Sequence, residues 1–228
     1  MINKIASFGD FCGALVAAGF SVGSSNDEGV FSLCSYMAEN IAWHTEDPET
    51  DPWEWRMRVL NERDDIAYAK LFFNKSGFIT KEWYPYFLAA RRNGRTFDEA
   101  YANGTIGHST KKIYELIVEG GELPMHVIKE RAGVGSAEKG AFDKALTELQ
   151  MGLFITMCGR SRKTSREGAE YGWSSTMFCT TEQFFGEDTF DKARGLSRDE
   201  AVGAITERIY ALNPNADAKK VAKFIGAR

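Results

Sequence analysis

The sequence has little metal-binding chemistry. It contains four cysteines with no Cys-x-x-Cys pair, and its three histidines, His44, His108 and His126, are far apart. Zinc sites in proteins use cysteine and histidine ligands at short, characteristic spacings, and no such spacing is present. We therefore expect no metal and no other cofactor, and thiols buried in the protein rather than disulfides.

Long apolar runs and an excess of positive charge are also missing. The most apolar stretch, residues 11–20, is too short to cross a bilayer and follows Asp10 rather than a basic segment, so it predicts a buried helix. The formal net charge is −4 and the pI is about 5.6, which argues against a protein that coats nucleic acid by bulk electrostatics. We expect a cytoplasmic protein in which any contact with a polyanion depends on a local basic patch.

The first hundred residues predict an aromatic-rich mixed α/β unit. A helix is expected to end near Gly19 and to be followed by a short strand, and the acidic, proline-containing segment 45–52 is expected to be a solvated loop. Residues 66–79 predict a hairpin with its turn at 74–77. Thr80 is predicted to cap a helix that packs its aromatic side chains into the core.

From Ser109 onward the pattern predicts short helices followed by a hairpin. A first helix, capped by Ser109 or Thr110, is expected to end at two consecutive glycines. A second helix is expected to start at Leu123-Pro124 and to end at Gly133. Two helices joined by a short turn that contains glycine are typical of a helix-turn-helix.

A third helix is expected from near Ser136, because apolar residues follow at spacings of three, four and seven. A helix of this size fits the major groove of DNA, where base edges differ in their donors and acceptors. Polar side chains expected on its outer side are candidate contacts to those edges: Lys139, Lys144, Thr147 and Gln150.

A basic segment, residues 159–168, lies between two β-prone runs and is interpreted as a glycine-bounded wing loop. Its four cations are expected to contact phosphate or to enter a narrow minor groove; they are Arg160, Arg162, Lys163 and Arg166. Lys111 and Lys112 are expected to add backbone contacts. Two alternatives stay open, a solvated turn and a protein-docking surface, because Glu138 and Asp143 on the proposed face would repel phosphate.

The last part of the chain is charged and predicts helices. Ser197 and Glu200 form a capping-box pattern, in which each side chain satisfies a backbone donor at the start of a helix. That helix is expected to end at Asn213-Pro214, and a further helix is expected to dock through Val221, Phe224 and Ile225. The predicted organisation is an N-terminal unit, a winged helix-turn-helix and a C-terminal helical unit, at residues 1–104, 105–185 and 186–228.

Five segments, mostly of core positions, carry a family resemblance. They are Trp53-Glu54-Trp55-Arg56, Ala67-Tyr68-Ala69-Lys70-Leu71, Trp83-Tyr84-Pro85-Tyr86-Phe87, Phe142-Asp143-Lys144-Ala145-Leu146-Thr147-Glu148-Leu149-Gln150 and Leu196-Ser197-Arg198-Asp199-Glu200-Ala201. They resemble the short AlkZ-related proteins of bacteria, within a winged-helix superfamily that includes DNA glycosylases for alkylated or crosslinked purines. The resemblance implies an α+β fold of tandem winged helix-turn-helix modules and duplex DNA as the partner.

The catalytic element of those glycosylases has no counterpart in the sequence. In them, a Gln-x-Gln or Gln-x-Asp element positions the water that attacks the sugar. This chain has two glutamines, Gln150 and Gln183, and neither lies in such an element. Three hypotheses stay open: a DNA-binding protein associated with damage recognition, a divergent glycosylase that uses a carboxylate, and a protein-interaction module.

Tryptophans offer a further means of contacting nucleic acid. An aromatic side chain can stack on an extruded base or on a single strand. Core packing is the alternative, because tryptophan supplies a large buried area. The candidates are Trp43, Trp53, Trp55 and Trp83.

Overall fold

The computed structural model describes residues 2–165 and 168–226. These divide into two compact units. The split unit combines the chain up to Gly94 with the chain from Phe185 onward, and the continuous unit is Arg95–Phe184. Whether 1–104, 105–185 and 186–228 act as separate domains stays a prediction.

Helices and short antiparallel strands alternate along the chain. In order they are α1 (Phe8–Ala18), β1 (Phe20–Val22), a 3₁₀ turn (Leu33–Tyr36), α2 (Pro52–Glu62), β2 (Ile66–Phe72), β3 (Lys75–Thr80), α3 (Tyr84–Arg92), α4 (Phe97–Ala102), α5 (His108–Gly120), β4 (Leu123–Pro124), α6 (Met125–Ala132), α7 (Lys139–Met151), β5 (Ile155–Thr164), β6 (Glu170–Thr180), α8 (Thr181–Phe185), α9 (Glu187–Arg194), α10 (Arg198–Leu212) and α11 (Ala218–Ile225). No helix in the described ranges is both long enough and apolar enough to cross a membrane.

The split unit contains an antiparallel sheet in the order β1-β3-β2. The β2–β3 hairpin turns at Phe73 and Asn74, whose φ angles of 54° and 60° are left-handed, as a type I′ turn requires. The turn predicted at 74–77 is therefore misplaced, and Gly77 lies inside β3. A Cβ at Gly77 would approach the Ser21 carbonyl oxygen to 2.8 Å, so this glycine permits close strand packing rather than a turn.

Several helix ends of the split unit follow the predicted local signals. α1 ends at Gly19, and α10 begins with the capping box of Ser197 and Glu200. The predicted cap at Thr80 is wrong, because Thr80 is the last residue of β3 and Trp83 precedes the first turn of α3.

All four cysteines are free; Cys12 and Cys179 are buried, and Cys34 and Cys158 are partly buried.

Arg91, near the end of α3, holds the C-terminal helix in place. Its Nε donates to the Ile225 carbonyl oxygen at 2.7 Å and its Nη2 donates to the Phe224 carbonyl oxygen at 3.0 Å. These carbonyls lie at the end of α11, where the helix has no backbone donors left to pair with them. Desolvation lowers the pKa of Arg91 to about 10, so the guanidinium remains charged at neutral pH.

Replacing Arg91 by methionine is expected to lower the free energy of unfolding by about 2–4 kcal/mol, because two charge-assisted hydrogen bonds are removed. Urea denaturation followed by circular dichroism measures the change. Arg91→Lys keeps the charge but not the two-pronged geometry, so its free energy of unfolding is expected to lie between those of Arg91→Met and the parent. Equal stability of Arg91→Met and the parent would show that α11 is held without this side chain.

The continuous unit begins with α4 and continues in the order α5-β4-α6-α7-β5-β6, with its strands paired in the order β4-β6-β5. Helices α6 and α7 pack against α5. The core contains apolar side chains from α4, α5, α6, α7 and the sheet, among them Phe97, Ile113, Ile117, Ile128, Phe142, Leu146, Leu149, Ile155 and Phe178. The apolar stripe predicted for the third helix is therefore confirmed.

The helix starts predicted in this unit require correction. Leu123-Pro124 forms β4, which pairs with Phe178 and Met177, so α6 begins at Met125. α5 begins at His108, and Thr110 does not cap it; its hydroxyl donates to Glu148 Oε2 at 2.6 Å. The predicted end of α6 at Gly133 is confirmed, with φ 69°.

Candidate nucleic-acid interface

Residues 159–164 of the basic segment lie on a strand rather than in the predicted loop. β5 continues through Gly159 to Thr164 because β6 pairs with it along this length, and Lys163 lies opposite Tyr171. Three of the predicted contact residues, Arg160, Arg162 and Lys163, are therefore spaced along extended backbone. The fourth, Arg166, lies outside the described residues.

The cations of β5 are in surroundings that contain few acids. No acidic residue occurs between Glu148 and Glu167, and β6 has no charged residue from Tyr171 to Thr180. The side chains of Arg160, Arg162 and Lys163 are exposed. In the part of the chain that the structure describes, neither Arg162 nor Lys163 takes part in an ion pair, so their charge is accessible to an external anion.

Helix α7 presents two more lysines to solvent. Lys139 and Lys144 are exposed, and neither forms a salt bridge with another described side chain. Asp143, predicted to repel phosphate, lies 3.6 Å from the Lys129 ammonium, and that cation offsets its charge. Glu138 is exposed near the start of the helix and remains an unfavourable neighbour for phosphate.

Gln150 does not lie on the outer face where we predicted it. Its side chain is buried, with 1% exposed, and its Nε2 donates to the Leu146 carbonyl oxygen at 2.9 Å. The physical reason is helical period: Gln150 lies four residues after Leu146 and eight after Phe142, on the stripe that faces the core. Thr147 is partly buried, and its hydroxyl donates to the Asp143 carbonyl oxygen at 2.7 Å.

The lysines of α5 already have partners within the protein. Lys111 Nζ lies 3.5 Å from Glu115 Oε1 and 4.3 Å from the centre of the Tyr101 ring. Lys112 Nζ donates at 2.8 Å to the carbonyl oxygen of Ala132, the last residue of α6. Phosphate contacts by these two lysines stay a prediction, and each would compete with an internal interaction.

Trp173, on β6, was not among the tryptophans for which stacking was predicted. It is 96% exposed, and Tyr171 beside it is 54% exposed. Tyr171 and Trp173 alternate with the small residues Gly172 and Ser174, which is the pattern of a strand with one apolar face. The sequence therefore predicted the strand but gave no local signal that Trp173 is exposed.

The tryptophans predicted to stack have other surroundings. Trp55 is buried against Phe8 and Phe11, which favours core packing. Trp43 and Trp53 are partly exposed, and the Arg56 guanidinium lies 3.2 Å above the Trp53 ring. The neighbouring loop exposes Glu46, Asp47 and Glu49, so this surface of the split unit is unfavourable for a phosphate backbone.

Within residues 2–165 and 168–226, no three or more histidine, cysteine or acidic side chains come together in an arrangement that could hold a metal ion. The candidate surface therefore consists of the exposed cations of β5 and α7 and the exposed aromatic side chains of β6.

Comparison with known proteins places the chain in a family. Among solved structures, the Streptomyces sahachiroi DNA glycosylase AlkZ is similar at 11% sequence identity with a TM-score of 0.45, over 98% of this chain and 60% of that one. The chain thus spans less than two thirds of that protein's length. No curated protein matches the sequence. The profile of the family described as AlkZ related matches residues 5–226, and the chain therefore belongs to the AlkZ-related family.

Proposed function

We propose that the continuous unit is a winged helix-turn-helix module that binds duplex DNA. The order helix, short strand, helix, helix and hairpin is the order of elements in winged-helix domains. In this assignment α7 is the recognition helix that enters the major groove, and the β5–β6 hairpin is the wing that contacts the backbone or minor groove.

The observation that carries the proposal is the exposed basic strand β5. Arg160, Arg162 and Lys163 lie on it without an acidic residue on the strand. Arginine forks match phosphate geometry, and exposed cations along extended backbone can follow a phosphate chain. Because the whole chain is net negative, this attraction is local, and we expect it to weaken steeply with salt.

The N-terminal half of helix α7 is suited to entering the major groove. Lys139, Gly140 and Ala141 are exposed there, and Lys144 follows one turn later. Small side chains allow a helix to approach a surface closely, and the N-terminal residues of a recognition helix are those that contact base edges. We assign base or phosphate contacts to the two lysines and, at the edge of the face, to Thr147.

Membership of the AlkZ-related family supports a role connected with DNA repair, with alkylated duplex as the first lesion class to test. The proposal assigns binding and no excision step. Gln150 is buried against the backbone of its own helix, and neither glutamine belongs to a Gln-x-Gln element.

A salt series with a short labelled duplex tests the proposal on the full chain. We expect binding at 50 mM salt and a log–log slope of about −3 to −5, since each phosphate contact contributes roughly −0.9. Lys139→Ala/Lys144→Ala is expected to weaken binding about tenfold or more at low salt and to make the slope shallower by about 2.

The matched control is Lys4→Ala/Lys219→Ala, which removes the same charge from two exposed positions of the split unit. We expect this control to bind as the parent does. Absence of duplex binding at 50 mM salt would refute the proposal. Equal losses of affinity in the two double variants would show that α7 is not part of the interface.

A further inference from the structure

Trp173 is exposed to a degree that folding stability does not explain. The chain has 29 aromatic Phe, Tyr and Trp residues, 16, 8 and 5 respectively, and most of the large ones are buried or partly buried, whereas Trp173 is 96% exposed. A buried tryptophan contributes a large favourable area. A single exposed apolar side chain is common, but Trp173 lies two residues from Tyr171, which is 54% exposed, and clustered exposed apolar side chains mark binding surfaces.

The backbone of β6 is irregular at this position. Ser161 pairs with Ser175 and Lys163 pairs with Tyr171, so two steps along β5 correspond to four steps along β6. The two extra residues form a bulge next to Gly172, whose φ of 73° is left-handed. Bulges bend a strand and redirect a side chain, and glycine is the residue that adopts this conformation without strain. Trp173 lies in this bulge.

The surroundings of Trp173 favour one kind of partner. Across the hairpin lie Arg162 and Lys163, and no acidic residue occurs on β6 between Tyr171 and Thr180. An aromatic face beside cations is the combination by which proteins hold unpaired nucleotides, since the ring stacks on a base and the cations pair with phosphate. Apolar side chains that enter a base step act in the same way on distorted duplexes.

We propose that Trp173 stacks on a nucleobase that is unpaired or unstacked, so that the hairpin prefers DNA with a disrupted base pair over perfect duplex. The inference rests on the proposed DNA binding and adds the feature that is recognised: the exposed face of a base. Lys163, which pairs with Tyr171 across the hairpin, and Arg162, the preceding residue of β5 on the other face, are the cations available to adjoining phosphates, and Tyr171 is 54% exposed.

The test compares a perfect duplex, the same duplex with one mismatch or one-nucleotide bulge, and the single strand. The parent is expected to bind the disrupted duplex more tightly than the perfect one. Trp173→Ala is expected to weaken binding to the disrupted duplex about 5- to 100-fold, the range of base–aromatic stacking, with little effect on the perfect duplex. Trp173→Phe, which keeps a ring, is expected to retain part of the preference.

Intrinsic fluorescence gives a second measurement. The difference between the emission of the parent and that of Trp173→Phe isolates the exposed tryptophan, and disrupted duplex is expected to quench this component. Trp43→Ala, at a partly exposed tryptophan of the split unit, is the control and is expected to leave both binding and quenching unchanged.

The outcomes separate this inference from the proposed function. Normal duplex binding with an unchanged preference in Trp173→Ala overturns the stacking role and leaves the DNA-binding module in place. Absence of binding to every DNA overturns both. Self-association of the parent that Trp173→Ala abolishes, together with unchanged DNA binding, assigns the side chain to protein docking and overturns the inference.

Discussion

Alanine at all four cations of the basic segment, Arg160, Arg162, Lys163 and Arg166, is expected to weaken duplex binding about 100- to 1,000-fold at 0.1 M salt. Each phosphate that the protein neutralises releases condensed counterions, so the log–log slope is expected to become shallower by roughly 0.9 for each phosphate that the variant no longer neutralises. Fluorescence anisotropy across a salt series measures both quantities. Because the described side chains among the four are exposed, the melting temperature is expected to change little.

Net charge alone must be excluded as the cause of that weakening. A variant with alanine at four exposed lysines of the split unit removes the same formal charge and is expected to bind nearly as well as the parent; the lysines are Lys4, Lys81, Lys192 and Lys219. Similar weakening in the two quadruple variants would mean that binding depends on overall charge, and the hairpin would not be the wing.

The second large effect is expected at Asp51, where Asp51→Asn should lower the free energy of unfolding by about 3–5 kcal/mol. The carboxylate is fully buried, with 0% exposed, and no cation of a described residue forms a salt bridge with it. It accepts four backbone N–H bonds, from His44 at 3.0 Å, Thr45 at 2.8 Å, Glu46 at 3.2 Å and Trp53 at 2.8 Å. It therefore caps α2 and fixes the preceding loop at the same time.

Asparagine cannot reproduce this arrangement although it has the same shape. Each carboxylate oxygen accepts two backbone N–H groups, so the amide nitrogen of asparagine would face two donors in either orientation. Thermal or urea unfolding of the full chain measures the loss of stability, and Asp47→Asn, at an exposed position of the same loop, is the control. Parent-like stability of Asp51→Asn would show that the loop reorganises around the amide.

The contribution of Asp51 depends on pH in a defined direction. Burial alone would raise the pKa of Asp51, but the backbone N–H groups of Trp53, His44, Glu46 and Thr45 together hold it below its ordinary value. A group with a depressed folded pKa stabilises the fold fully above its unfolded pKa of about 3.9, and this stabilisation disappears as the pH falls through the folded pKa. The stability difference between the parent and Asp51→Asn is therefore expected to be constant from pH 5 to 7 and to narrow below about pH 4.

The elements that could be predicted from the sequence are those with a local cause. Gly133 ends α6 in a left-handed conformation, and Ser197 with Glu200 starts α10, because caps and glycine turns involve residues only a few positions apart. The buried stripe of α7 followed from helical spacing. The candidate contacts at Lys139 and Lys144 have the outward exposure expected from the same spacing.

Two of the predictions that failed concern partners distant in the sequence, and a third concerns the face of a helix. Leu123-Pro124 looked like a helix start, but Phe178 on β6 pairs with Leu123 and makes the dipeptide a strand. The basic segment looked like a loop because it is polar and bounded by glycine, but pairing with residues 170–177 makes its first part, residues 159–164, the end of β5. Gln150 was placed outside because it is polar, whereas its position on the helix puts it inside.

By itself the sequence determined the family, the helix ends that depend on capping residues and glycines, the inward stripe of α7 and the cluster of four cations before Glu167. Each of these is a matter of composition or of neighbours a few residues apart. Only the tertiary structure decided that Arg160, Arg162 and Lys163 lie along a strand and that a two-residue bulge exposes Trp173 on the strand paired with it. Strand pairing joins distant segments, and its register depends on the packing of both segments together rather than on the propensities of either one.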